Sequence, residues 1–218
     1  MTKVLRMALL GPVEVTRAGA PLDDLVSAKA RALLYYLAVT ERPHSRQALA
    51  GLLWGSLPEA DARRNLRGAL LKLRQDFEPY IHVSYQELAF DPAPGVWLDV
   101  AQFRAALAAP AETAVADLQA ALDLYRGEFL QDFHVRQAPD FDTWLAAQQT
   151  RLRDMALAGC YTLAERCIAG GAYAQGVRAA QLLLRLDPLR EEGYRQLMLL
   201  LALQGQRGAA LAQYERCR

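Results

Sequence analysis

Between Ala62 and Gln75 the chain collects five basic side chains, Arg63, Arg64, Arg67, Lys72 and Arg74, and no acid. Wound as a helix at about 100° per residue, Ala62, Leu66, Ala69, Leu70, Leu73 and Phe77 fall on one face. The opposite side gathers Arg64, Gly68, Leu71, Lys72 and Gln75, with Arg67 at its shoulder, while Arg63 and Arg74 flank the apolar stripe. The chemistry available to such a face is recognition of anions and of planar acceptor pairs. Guanidinium forks match O6 and N7 of guanine in a major groove, and Lys or Arg neutralises phosphates. Gly68 costs about 1 kcal/mol relative to alanine inside a helix, and its missing side chain leaves room for close backbone approach. An outward Leu71 is poorly placed against water but well placed against a thymine methyl. The competing reading is a solvated basic helix face.

The elements around this helix give the pattern its context. Val4, Met7 and Leu9 form an apolar run that ends at Gly11-Pro12, and Val13, Val15 and Thr16 follow before Ala18-Gly19. Both runs read as strands of a small antiparallel sheet. A first helix is expected from Ser27, as cap, to Thr40, with Ala30, Leu33, Leu34 and Leu37 on its apolar face. Ser45 opens a second helix packed through Leu49, Leu52, Leu53 and Trp54. Gly55-Ser56-Leu57-Pro58 is a tight connection, and Ser56 with Glu59 has capping-box spacing ahead of the third, basic helix. Pro79 ends that helix, and strands at Tyr80–Val83 and Leu88–Phe90 flank a polar turn, Ser84 to Glu87. Strands, three helices and a hairpin, in that order, make a winged helix with its own N-terminal sheet, an α+β domain over residues 1–97. In that fold the third helix reads the groove and the hairpin clamps the backbone. Lys29, Arg31 and Arg46, at helix starts, are candidates for phosphate contacts. His82, Ser84 and Tyr85 in the hairpin are candidates for backbone or minor-groove contacts. The plain alternative for each is a surface residue without a role.

Pro92, Pro94 and Gly95 read as a linker, and residues 98–218 as an all-helical second domain. Asp99 and Gln102 have capping-box spacing, and Leu98 is placed to staple onto Phe103. From there every segment has helical periodicity, with breaks near Pro110, Pro139, Gly170-Gly171, Asp187-Pro188 and Gly205. Gly171-Ala172-Tyr173-Ala174 and Gly205-Gln206-Arg207-Gly208 begin 34 positions apart, and Leu186-Asp187-Pro188 closes the first unit. That period, with small residues on the first helix, is the tetratricopeptide pattern. The second unit breaks off after one helix at Arg218, so the native chain is expected to continue.

Composition narrows the function. At 218 residues, 53% hydrophobic and 22% charged, the chain has globular composition. A net charge of +1, split as 12 basic and 10 acidic residues before position 98 and 13 and 14 after it, gives no whole-chain case for nucleic acid, so the case rests on local charge. No run of eighteen apolar residues and no leader are readable, which points to a cytoplasmic protein without a membrane partner. Cys160, Cys167 and Cys217 are too few and too uneven for a disulfide framework and read as buried thiols. There is no HExxH, nucleophile elbow or CxxC motif, and His44, His82 and His134 fall in different elements, so neither an enzyme nor a cofactor or metal site is expected.

Several segments resemble the SARP-type transcription activators: Ala28 to Leu37, Leu52-Leu53-Trp54, Pro58 to Arg67, and Val96-Trp97-Leu98-Asp99-Val100 with Phe103. The tail, including Leu186-Asp187-Pro188-Leu189 and Gly193 to Met198, resembles the bacterial transcriptional activator domain (BTAD). The resemblance covers essentially the whole chain. It implies a response-regulator-type (OmpR/PhoB-like) winged helix fused to a BTAD. It also implies a protein that binds promoter direct repeats in double-stranded DNA as side-by-side copies, a homodimer on DNA, and recruits RNA polymerase through its sigma or alpha subunit. The loop Trp54, Gly55, Ser56, Leu57, Pro58 and Glu59 matches the polymerase-contacting loop of that family; core packing is the competing role for Trp54. No receiver domain is expected ahead of the winged helix, no Gly-x-x-x-x-Gly-Lys-Ser/Thr loop occurs in these residues, and the tail is expected to stop short of the full BTAD pattern. The alternative to a regulator is a helical-repeat interaction scaffold with a degenerate or non-specific head.

Overall fold

The computed structural model describes residues 5–22, 27–92 and 95–217, the last without its side chain. Val4 of the first expected strand, Pro94 of the expected linker, the Cys217 thiol and Arg218 lie outside the described residues. The chain packs as two compact units, Met1–Ala101 with Gly127–Gln149, and Gln102–Arg126 with Thr150–Arg218. The sequence division at residue 97 follows chain order, whereas the packing division returns residues 127–149 to the first unit.

The first unit begins with strands β1 (Leu5–Ala8), β2 (Glu14–Arg17) and β3 (Ala20–Pro21). Helix α1 (Ala28–Thr40) follows, then β4 (His44–Ser45), α2 (Arg46–Trp54) and α3 (Glu59–Phe77). The hairpin strands β5 (Ile81–Val83) and β6 (Glu87–Phe90) come next, and then β7 (Val96–Leu98). This is a winged helix behind an N-terminal sheet, as the element order implies. Ser27 and Ser45 cap α1 and α2, accepting from the amides of Ala30 and Ala48. Leu49, Leu53 and Trp54 of α2 are buried and Leu52 half-buried. The capping box expected at Ser56 does not form: Pro58 is the N-cap of α3, with no side-chain cap, and its carbonyl takes the amides of Asp61 and Ala62. Proline's fixed φ sets the helix entry there. Glu59 lies in the first turn, where its charge favours the helix dipole. A single 3-10 turn, Glu78–Tyr80, moves the start of the first hairpin strand from Tyr80 to Ile81.

Two pairings join residues remote in sequence. The N-terminal sheet has the order β3-β2-β1-β7, with β7 parallel to β1, so the residues just after the expected linker close the sheet. The hairpin gains β4, which pairs with β6 through His44 opposite Leu88. β4 and β7, two and three residues long and outside any hairpin flanked by turn signals, carry too little alternation to register as strands in the sequence.

The segment between Tyr125 and Ala138, expected to be helical, is an irregular strap. Leu130, Asp132 and Gln137 adopt positive φ values of 51°, 60° and 54°, which no helix accommodates. Its backbone bonds instead to the residues just after β1: Leu130 N donates to Leu9 O at 2.8 Å, Gly11 N to Glu128 O at 3.0 Å, and Gln131 N to Gly11 O at 3.2 Å. Aromatic rings hold it down. Phe133 meets Tyr35 edge-on at 5.3 Å, and Trp144 packs between Tyr36, Phe129 and Phe141 at 4.8, 5.8 and 5.3 Å.

Helix α4 (Asp99–Leu107) starts directly from β7. Asp99 is 1% exposed and does more than its capping-box spacing implies. Its carboxylate accepts from the amides of Leu9 at 2.7 Å, Leu10 at 2.8 Å and Val100 at 2.7 Å. Charge-assisted bonds of this kind are the strong ones in a protein interior.

The second unit contains α5 (Val115–Asp123), α7 (Tyr173–Leu186), α8 (Glu191–Leu203) and α9 (Arg207–Cys217), together with most of α4 and the later part of α6 (Pro139–Gly170). Helices α7 and α9 start 34 positions apart, as the repeat predicts. Gly171 and Gly205 stand two residues before them, with φ of +76° and +78°. A side chain at Gly176 would collide with Leu200 and Cys167, so this glycine sets how closely α7 approaches its neighbours. Cys160 and Cys167 are buried free thiols, and burial pushes the Cys160 thiol up to about 12, which leaves it unreactive.

Replacing Asp99 by Asn puts an amide donor where backbone N–H groups converge. Asp99→Asn and Asp99→Ala should each lower unfolding free energy by about 2–4 kcal/mol, read as a lower urea midpoint of the full chain.

Candidate nucleic-acid interface

Helix α3 buries Ala62, Leu66, Ala69, Leu70, Leu73 and Phe77, the six residues of the apolar stripe. That leaves Arg63, Arg64, Arg67, Gly68, Leu71, Lys72, Arg74 and Gln75 exposed. Leu71 is 68% exposed, and a side chain at Gly68 would meet nothing within 4 Å. The open face is therefore held rigidly from beneath and is free above. At its far end, Arg17 of β2 donates to the Asp76 carbonyl and pairs with the Asp76 carboxylate at 3.6 Å, tying the helix to the N-terminal sheet.

A cleft runs along each side of this face. One, of about 630 Å³, is lined by Arg63 and Arg67 on α3, Arg46 and Gln47 on α2, and Tyr85 and Gln86 of the hairpin turn. The other, of about 760 Å³, is lined by Arg64, Gly68 and Lys72 on α3, Lys29 on α1, and His134 and Arg136 of the strap. The wing turn is built locally: Ser84 Oγ accepts from the amides of Gln86 and Glu87 at 3.3 and 2.9 Å, and Arg46 donates through Nε and an Nη to the Ser84 carbonyl at 3.2 and 3.0 Å. Tyr85 stands at the tip, 93% exposed, and His82 is exposed on β5. The structure thus brings Arg46, Ser84 and Tyr85 to the same side of α3.

Lys29 and Arg31 are placed differently from open surface cations. Lys29 Nζ donates to the carbonyls of Leu53 at 2.5 Å and Gln137 at 3.1 Å and lies 5.3 Å from the Trp54 ring centroid. Burial lowers its pKa from the ordinary lysine value. Arg31 is half-buried, its guanidinium 5.6 Å from the centroid of Phe133. In the α2–α3 loop the Trp54 indole is buried in the core, while Gly55, Ser56, Leu57, Pro58 and Glu59 are exposed. His44 is buried against Tyr36 and shares a hydrogen bond with Thr40 Oγ1 at 2.8 Å. Its pKa is lowered by burial and by Arg42. Sequence reasoning missed His134 and Arg136, whose place depends on the strap's fold. Among the described residues no group of three or more His, Cys, Asp or Glu side chains is arranged to hold a metal.

The cations on α3 divide into paired and unpaired. Arg63 pairs with Glu59, Arg64 with Asp61 at 2.6 Å and Arg74 with Glu78 at 2.7 Å, all on exposed surface. Among the described residues Arg67 and Lys72 have no ion pair. Exposed pairs of this type contribute only about 0.2–1 kcal/mol, so they exchange readily for another anion.

A winged helix with a basic third helix, set ahead of a tetratricopeptide-like module, is the architecture of bacterial transcriptional regulators. The family model "Bacterial transcriptional activator domain" matches residues 98–218, and the chain belongs to that family. It is 31% identical over 220 residues to Regulatory protein AfsR of Streptomyces coelicolor, a match covering 96% of this chain and 21% of AfsR. It is also similar to the solved structure of Mycobacterium tuberculosis EmbR in complex with a low-affinity phosphopeptide, with a TM-score of 0.68 and 26% identity, over 99% of this chain and 59% of that one. The chain therefore spans less than two thirds of the length of either relative. The resemblance to SARP-type regulators, read from the motifs, agrees with both.

Asp61→Asn removes the partner of Arg64 without touching the core. It should raise affinity for duplex DNA by about twofold at low salt, the scale of one helical ion pair, in a fluorescence-anisotropy titration.

Proposed function

We propose that this transcriptional regulator binds double-stranded DNA sequence-specifically and acts as an activator. It would bind promoter direct repeats as side-by-side copies, a homodimer on DNA, and recruit RNA polymerase through its sigma or alpha subunit. The observation that carries this reading is α3: its whole apolar stripe is buried and its basic face is open. Arg64, Arg67, Leu71 and Gln75 contact base edges, Gly68 admits close backbone approach and Lys72 neutralises phosphate, with Arg63 at the margin. Arg46, His82, Ser84 and Tyr85 contact the sugar-phosphate backbone or minor groove and set register. The exposed loop from Gly55 to Glu59 faces the polymerase, with Leu57 as its apolar contact. The protein works in the cytoplasm; among the described residues no helix is long and apolar enough to cross a membrane.

Selection from a random duplex library by the full chain at near-physiological salt, with Arg64→Ala/Arg67→Ala in parallel, tests the reading. A motif repeated at about one helical turn and lost in the double variant is the expected result. Each base-reading arginine should contribute about 1–3 kcal/mol and relax specificity at one position when removed. Failure of the folded wild-type chain to enrich any motif would favour an interaction scaffold in which the helical repeats do the binding.

A further inference from the structure

We propose that the strap residue Arg136, with His134 beside it, is part of the nucleic-acid interface and forms a second phosphate rail along α3, opposite the one made by the wing. The proposal rests on the DNA-binding reading above and names a partner surface that reading does not contain.

A helix lying in a major groove has a sugar-phosphate backbone on either side. A protein that holds it there benefits from cations on both flanks. On one flank of α3 the cleft lined by Arg63 and Arg67 is closed by Arg46 and the wing turn. On the other, the cleft lined by Arg64, Gly68 and Lys72 is closed by Lys29, His134 and Arg136. His134 and Arg136 are both exposed, while Val135 between them is buried and fixes their direction. Among the described residues no carboxylate lines this second cleft, and Asp61, paired with Arg64 at 2.6 Å, is the acid beside it.

The strap is not a loose loop that happens to lie there. Phe133 is buried on Tyr35, and Ala138 and Phe141 are buried after it. Gln137 adopts the left-handed conformation at φ 54°, and its carbonyl receives the Lys29 ammonium at 3.1 Å. Lys29 is anchored at its other contact by the Leu53 carbonyl. Its role is therefore that of a positioning residue: it joins the end of α2 to the residue following Arg136, and Arg136 carries the exposed charge. The sequence pattern placed Lys29 itself among phosphate contacts because the strap carbonyl that engages it lies 108 residues away.

The test is the salt dependence of duplex binding by the full chain, on the selected site and on a scrambled duplex. Arg136→Ala should lower the log–log salt slope by about 0.9, the share of one phosphate contact. It should weaken both duplexes alike, with base preference and melting temperature unchanged. Arg136→Lys should restore the slope. In a double-mutant cycle, Lys29→Met should weaken binding in the wild type and much less in the Arg136→Ala background, a coupling that general loosening of the fold would not give. A wild-type slope for Arg136→Ala, in a preparation where Lys72→Ala does lose affinity, overturns the rail and leaves the reading helix in place. Equal cost of Lys29→Met in both backgrounds overturns the positioning role. Absence of salt-dependent binding by the wild type to either duplex overturns the DNA-binding reading and the rail with it.

Discussion

The strand end that follows β1, and the strap bonded to it, depend on one buried carboxylate. Asp99 receives the amides of Leu9 and Leu10, which emerge from β1, while its own backbone continues β7 into α4. The same stretch, Leu9 to Gly11, offers its remaining backbone groups to Glu128, Leu130 and Gln131. A single buried carboxylate therefore fixes a strand end that in turn anchors the strap. An unpaired charge at that depth would cost several kcal/mol, so the three amides and the carboxylate require one another.

From that anchor the order passes along the strap to the face of α3. Phe129 and Phe133 settle into the aromatic cluster around Tyr35, Tyr36 and Trp144, and the peptide after Arg136 meets Lys29. Helix α3 is fixed independently, by its buried stripe and by Arg17 on Asp76. Rigid support beneath an open, cationic face is what recognition of a charged and regular surface needs, since little side-chain or backbone ordering is then left to oppose binding. The ion pairs on that face, Arg63 with Glu59 and Arg64 with Asp61, hold the arginines only weakly, by about 0.2–1 kcal/mol each.

The helical module follows a different logic. Its spacing is set by residues that are small: Gly176 lies against Leu200 and Cys167, and Gly193 against Leu183 and Leu184. Paired glycines at φ near +80°, Gly171 and Gly205, turn the chain into each new first helix. Such units stack by repeating one interface.

The amino-acid sequence by itself determined the periodic elements. Ser27 as a cap, the helix opened at Ser45, the six-residue stripe of α3 and the hairpin around Ser84 were legible because each is fixed by residues within a few turns of one another, and the 34-residue repeat was legible because its turn signals recur. The basic face of α3 was legible for the same reason: once a stripe is apolar, the opposite side must face outward. Tertiary structure alone decided the rest. Residues 124–138 carry apolar spacing that a helix would accept, yet backbone partners at Leu9 and Gly11, more than a hundred residues earlier, outcompete it and hold Leu130, Asp132 and Gln137 in left-handed backbone. β4 and β7 exist only because a partner strand lies beside them. Capping at Ser56 gave way to Pro58, whose fixed φ set the helix start. Which cations stay open was decided the same way. Lys29 and Arg31 sit at a helix start like Arg46, but the folded strap supplies a carbonyl for one and an aromatic ring for the other. Local periodicity specifies what a residue faces within its own element; the partners it meets across the fold depend on long-range contacts that no spacing encodes.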